Sequence, residues 1–337
     1  MNSYQGIQKK LKTESNNVDF SPRIKQEQLN IERINSNIDD NKYYNEITRS
    51  IFDIVKIKDV YNQAKILNIQ MITSINNNVD ENSELKNKIK TNIEITPLGY
   101  TNSKRKKDGI TFFGYDKKKE NDIDIYIEPL DGDNVDEKFF GKHFQIKFEP
   151  GDLNYYLKDL GHGFGTFIRI NDWVEIKNNF LLNIGENYLI FTTSFEKENT
   201  KENNLNGTEE NNSSLNIKLF SVSSGQKSYF FKSSNALITI GRKIENDICI
   251  EDTLLSRIHC TINYKDNKWF LIDGSINKSE EEENKKSTNG SWIYPFEDTL
   301  IYDKMCFKAS HYLFECNLEN ISNKKDDSIK KNDLSVL

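Results

Sequence analysis

Apolar residues fall along this chain in short, separated clusters rather than in long stripes. Residues 1–40 hold scattered isoleucines among polar residues and sustain no period, so they read as disordered. From about Tyr43 to Ile57 the spacing turns helical, with Ile47, Ile51, Ile54 and Val55 recurring between Asp and Lys. A second candidate helix covers Val60 to Ile72, with Ala64, Leu67 and Met71 on one face. From Ile93 to about Phe195 the clusters shorten and alternate, as in Ile110-Thr111-Phe112-Phe113 and Phe144-Gln145-Ile146-Lys147-Phe148. Gly, Asp and Asn turns separate them, the mark of β-strands. Residues 196–214 form a polar linker, a second β region runs from Leu215 to about Asn317, and a charged tail follows. The expected organisation is an extension at 1–92, a β-domain at 93–195, the linker, a β-domain at 215–317 and a tail at 318–337.

The two β regions run through one order of elements. The first reads Gly114-Tyr115, Glu120-Asn121-Asp122-Ile123, Gly141-Lys142-His143, then Asp159 to Thr166 with Gly161-His162-Gly163-Phe164-Gly165 inside it. The second reads Gly241-Arg242, Glu245-Asn246-Asp247-Ile248, Ser256-Arg257-Ile258-His259, Asp273, then Ser287-Thr288-Asn289-Gly290. A repeat of this size means tandem copies of one domain, and many short strands with turn signals mean an all-β sandwich or barrel.

Charge and composition narrow the function. Hydrophobic residues are 36% and charged residues 29% of the 337, and the net charge is -6. That balance argues against a general nucleic-acid binder, which is usually basic. The start shows no signal-peptide pattern and no stretch is apolar enough to span a bilayer, so the expectation is an intracellular protein of cytoplasm or nucleus, with no membrane partner. Cys249, Cys260, Cys306 and Cys316 lack C-x-x-C spacing and read as reduced thiols. The four histidines have no metal-ligand spacing, and no Walker A loop, H-E-x-x-H or kinase element accompanies the glycine run at 161–165. The expectation is a non-enzyme without metal or cofactor. Lys104-Arg105-Lys106-Lys107 reads as a basic hairpin connection or a localisation signal.

Residues 237–316 resemble a forkhead-associated (FHA) domain. The resemblance rests on Gly241-Arg242, Asn246-Asp247-Ile248, Ser256-x-x-His259 with Arg257 second, and Thr288-Asn289-Gly290, in that order. It implies two FHA-type β-sandwiches in tandem and a phosphothreonine-dependent protein-binding adaptor. Arg242, Ser256, Arg257 and Thr288 would grip the phosphate, and Asn289 would hold the peptide backbone. Gly241, His259 and Gly290 would support the loops. The first copy is degenerate: Tyr115 replaces the arginine, and either Phe140 or Gly141 replaces the serine. A scaffold or protein-contact role fits it, and a further protein could bind this copy or the N-terminal helices. An insertion with Glu280-Glu281-Glu282-Glu283 precedes Ser287 and would repel anions, select basic flanks or simply be solvated. The alternative function is a structural subunit of a larger assembly with no phosphate dependence.

Overall fold

The computed structural model describes residues 51–74, 88–117, 122–129, 137–196, 212–222, 224–235, 237–276 and 285–321. The expectations for residues 1–50, for the middle of the linker, for Glu280–Glu283 and for most of the tail lie outside the described residues. The chain divides into two compact units, Met1–Asp53 and Ile54–Leu337. The described end of the first opens helix α1 (Ile51–Val60), and everything below concerns the second. In α1 Ile57 is fully buried, whereas Val55, placed by spacing on the apolar face, is 49% exposed.

The strands follow in chain order. First come β1 (Lys65–Ser74), β2 (Lys88–Thr96) and β3 (Gly99–Tyr100). Next are β4 (Ile110–Tyr115), β5 (Ile125–Tyr126), β6 (Gly141–Glu149), β7 (Asn154–Asp159) and β8 (Thr166–Arg169). Then come β9 (Val174–Glu175), β10 (Phe180–Ile184) and β11 (Asn187–Glu196). The second half supplies β12 (Asn212–Ser221), β13 (Gly225–Lys232), β14 (Leu237–Gly241), β15 (Ile248–Cys249), β16 (Cys260–Lys265) and β17 (Lys268–Asp273). It ends with β18 (Trp292–Ile293), β19 (Thr299–Leu300), β20 (Cys306–Ala309) and β21 (Tyr312–Asn320).

The helix expected over Val60–Ile72 is instead a short 3-10 turn followed by β1. Leu67 and Ile69 are buried at alternate positions, with Met71 packed beside them, a period of two that shares Leu67 and Met71 with the helical spacing. β1 pairs with both β2 and β21, and those ladders, with three isoleucines in the strand, override the helical reading.

Strand pairing crosses the sequence boundary between the two β regions. One five-stranded sheet runs β5-β4-β6-β7-β19 and the other β15-β14-β16-β17-β9, so each takes its last strand from the other half of the chain. The third sheet has eleven strands in the order β13-β12-β11-β10-β18-β8-β20-β21-β1-β2-β3. At its middle β8 and β18 lie antiparallel, Arg169 opposite Trp292 and Ile168 opposite Ile293. The first sandwich is therefore β1–β8 completed by β19–β21, around Phe113, Phe144, Phe307 and Phe314. The second is β12–β18 completed by β9–β11, around Leu182, Leu189, Ile240, Trp269 and Leu271. The division at 93–195 and 215–317 describes the repeat in the sequence but not the folded bodies, because three strands are exchanged each way. Matching bonds tie the sheets of each body: Tyr155 donates to the Lys65 carbonyl at 2.8 Å, and Trp269 donates to Ser213 Oγ at 3.1 Å.

Candidate functional site

The expected binding residues sit on three loops at one end of the second sandwich. β14 ends at Gly241, where the backbone runs against the preceding turn of β16. A Cβ there would overlap the Arg257 carbonyl oxygen, so the position needs glycine for space. The Arg242 N–H donates to the Ser256 carbonyl at 3.1 Å and the Lys243 N–H to that of Arg257 at 3.2 Å, which locks the first loop beside the second. Asn246 closes the same contact by donating its amide to the carbonyls of Lys243 and Arg257, each at 2.7 Å. Asp247 turns the chain into β15 by accepting from the Thr239 N–H at 2.8 Å.

The third loop meets Ser256 directly. The Thr288 N–H donates to Ser256 Oγ at 3.0 Å, and the two hydroxyl oxygens are 3.4 Å apart. Asn289 donates its side-chain amide to the Leu254 carbonyl at 2.7 Å, which leaves its amide oxygen without a protein partner among the described residues. Behind them, buried His259 bridges loops two and three. It accepts from the Ser256 N–H at Nδ1, 3.1 Å, so the proton sits on Nε2 and is donated to the Gly290 carbonyl at 3.0 Å. Burial holds His259 below its usual range, hence neutral, as that bonding requires. Deeper still, the Asp273 carboxylate accepts from Ser287 Oγ at 2.6 Å, Ser291 Oγ at 2.7 Å and the Ser287 N–H at 3.0 Å.

Arg242, Arg257, Thr288 and Asn289 are exposed around half-buried Ser256. Neither the Arg242 nor the Arg257 guanidinium has an ion-pair partner among the described residues. The stem of the acidic insertion is pinched where the Ser275 N–H meets the Lys285 carbonyl at 2.9 Å, and exposed Lys285 and Lys286 then lead into Ser287. Those two lysines add cations that motif matching passed over. Arg169, from the other half of the chain, also reaches the third loop, because a Cβ on Gly290 would lie 2.9 Å from its Nε.

A family model of the FHA domain matches residues 111–185 and 238–297. The chain carries tandem FHA domains. FHA domains are phosphothreonine-binding protein-interaction modules, and this chain's β-sandwiches are consistent with that family. No curated protein matches the sequence.

The two FHA copies superpose through their ladders. Ile240 pairs with Ile248 and Cys260, as Phe113 pairs with Ile125 and Phe144. Gly114 therefore matches Gly241, and a Cβ on it would overlap the Gly141 carbonyl as one on Gly241 overlaps that of Arg257. That register makes Phe140, not Gly141, the counterpart of Ser256, and Tyr115 the counterpart of Arg242. The turn aspartate of the first copy is Asp124, accepting from the Phe112 N–H at 2.8 Å as Asp247 does from Thr239. The resemblance of Asn121-Asp122-Ile123 to Asn246-Asp247-Ile248 is thus out of register by two residues, because the longer first loop carries a second Asp-Ile pair.

The residues of the first copy at the places of Arg242 and Ser256 are aromatic. Tyr115 lies 5.7 Å from Phe139 and 5.6 Å from Phe140 between ring centroids, and Phe139 lies 5.4 Å from Phe164, which is 66% exposed. The Lys142 ammonium lies 3.9 Å from the Phe112 ring centroid. Arg105 is likewise engaged, 3.0 Å from Asp124, which ties that part of the basic run at 104–107 to the fold. His143 matches His259 but bonds the Phe139 carbonyl at 2.6 Å.

Proposed function

We propose that this protein is a phosphothreonine-dependent adaptor, without catalytic activity of its own, whose second FHA domain holds the phosphopeptide. The observation that carries the reading is the Thr288 N–H donated to Ser256 Oγ. The Ser256 hydroxyl proton meets the Thr288 hydroxyl at only 3.4 Å, a long bond that an anion's oxygen would replace, and the Arg242 N–H holds the Ser256 carbonyl beside it. Two hydroxyls and two exposed guanidinium groups match a dianionic ester with three acceptor oxygens. Asn289 would meet the peptide backbone next to the phosphothreonine. The first FHA domain, with aromatic rings where Arg242 and Ser256 have their counterparts, would serve as scaffold, and any anion it met would lack a guanidinium. The partner is a threonine-phosphorylated protein inside the cell.

Fluorescence polarisation on the full chain tests this with a degenerate peptide pool carrying a fixed phosphothreonine and the same pool unphosphorylated. The phosphorylated pool is expected to bind at least tenfold more tightly, because charge-assisted hydrogen bonds contribute ~1.5–3 kcal/mol each. Equal affinity for the two pools would favour a structural subunit without phosphate dependence.

A further inference from the structure

We propose that the degenerate half of the chain positions the binding loop of the intact half, through the turn Gly185-Glu186-Asn187 between β10 and β11. This rests on the proposed phosphopeptide site and names the residues that regulate its geometry. The exchange of strands puts that turn, which belongs to the first β region of the sequence, against the loop leading to Ser256. Asn187 donates its amide to Asp252 Oδ2 at 2.7 Å, and the Glu186 N–H reaches the same oxygen at 3.1 Å. The other carboxylate oxygen accepts from the Leu254 N–H at 2.8 Å. A side chain on Gly185 would overlap the Asp252 carboxylate and lie 3.2 Å from Leu255 Cδ2, so the turn is in full contact with the loop. Asn187 is itself buried and donates also to the Ile184 carbonyl at 3.2 Å, while Asn183 donates to the Asn187 carbonyl at 3.1 Å.

Asp252 thus acts as a clamp with one oxygen on each half of the chain. The loop it holds contributes the Leu254 carbonyl to Asn289 and Ser256 Oγ to Thr288. Displacing Asp252 shifts both acceptors against the third loop, and with them the hydroxyl pair. The first copy has aromatic rings in place of the phosphate-gripping residues, yet its last two strands supply a contact to the second site that no described residue of 212–321 replaces.

The test uses the full chain carrying Asn187→Ala, Asn187→Asp, or Asn187→Asp with Asp252→Asn. Two readouts are taken: the amide resonances of Leu254 and Thr288 in the free protein, and affinity for the phosphothreonine peptide pool. Asn187→Ala is expected to move both resonances and weaken binding about tenfold. Asn187→Asp, which sets two carboxylates face to face, should do more, and adding Asp252→Asn should restore much of the loss. Unmoved Leu254 and Thr288 resonances in both single variants overturn the proposal. The same follows if the pair is no better than Asn187→Asp alone, which also covers a single variant that misfolds. Moved resonances in a chain whose unaltered form ignores the phosphorylated pool would uphold the clamp and remove the phosphate reading instead.

Discussion

His143 and His259 stand at matching places, each buried behind its loops with Nε2 bonded to a backbone carbonyl. Burial depresses both, so the folded chain keeps them neutral, and half-buried His311 shifts the same way. Unfolded histidine titrates near ~6.5, so below that value the unfolded chain takes up protons that the folded chain refuses. Their contribution is complete above about pH 6.5 and is lost as the pH falls toward their depressed folded values. Buried Asp159 is shifted upward and acts with the opposite sign, at the lower pH where carboxylates titrate. Melting temperature is therefore expected to drop between pH 7.5 and 5.5, and a flat calorimetric profile would contradict neutral histidines. At the exposed rim, Arg242→Ala should weaken phosphopeptide binding roughly 10–100-fold in a polarisation assay without moving the melting temperature. Gly241→Ala should do the reverse to stability: the added methyl overlaps the Arg257 carbonyl and is expected to cost ~1–3 kcal/mol in urea titrations. The grouping of Arg242, Ser256, Thr288 and Asn289 on neighbouring loops was legible from four short motifs. Asn187 and Asp252 were not, because nothing local marks two residues 65 positions apart as partners.

Among the elements, strands were readable where alternation was strict, as in β6, where Phe144, Ile146 and Phe148 are buried. β1 was misread because Ala64, Leu67 and Met71 satisfy a helical period by accident, and only its two neighbours β2 and β21 reveal the strand. The exchanged hairpins carry the sharpest consequence at this scale. A fragment of residues 212–321 lacks β9–β11, and with them Leu182, Ile184, Leu189 and Phe191 from its core. It also exposes the edge of β17 that pairs with β9 through Phe270 and Leu271. Losing several large apolar side chains at ~2–5 kcal/mol each exceeds the ~5–15 kcal/mol stability of an ordinary domain. That fragment is expected to be unfolded alone, and to gain dispersed amide proton signals when refolded with residues 1–196. A well-dispersed spectrum from the fragment by itself would show that the second sandwich can close without the exchange.

Across the whole second unit, one sheet of eleven strands passes through both sandwiches. Lys308 of β20 fastens the junction: its ammonium lies 2.5 Å from Asn183 Oδ1 of β10 and 4.8 Å from the Trp292 ring centroid. Burial there lowers its pKa to about 8. Tyr294, just past β18, donates to Asp159 of the first sandwich at 2.9 Å. The two bodies are therefore expected to melt together in one calorimetric transition, and Phe144→Ala in the first core, costing ~3–5 kcal/mol, should lower that single transition rather than split it. Two resolved transitions would contradict the shared sheet. Local pattern alone determined that this chain is β-rich, that it repeats, that its second copy keeps an FHA motif set and that its first has lost one, because turns, alternation and short motifs are written in adjacent residues. Which strand completes which sandwich, that Phe140 rather than Gly141 faces the place of Ser256, and that Asn187 holds Asp252 were decided only by tertiary structure. Two copies of one fold offer nearly equivalent edges, and the choice between them is made by the path of the chain across β8 and β18, not by the composition of any strand.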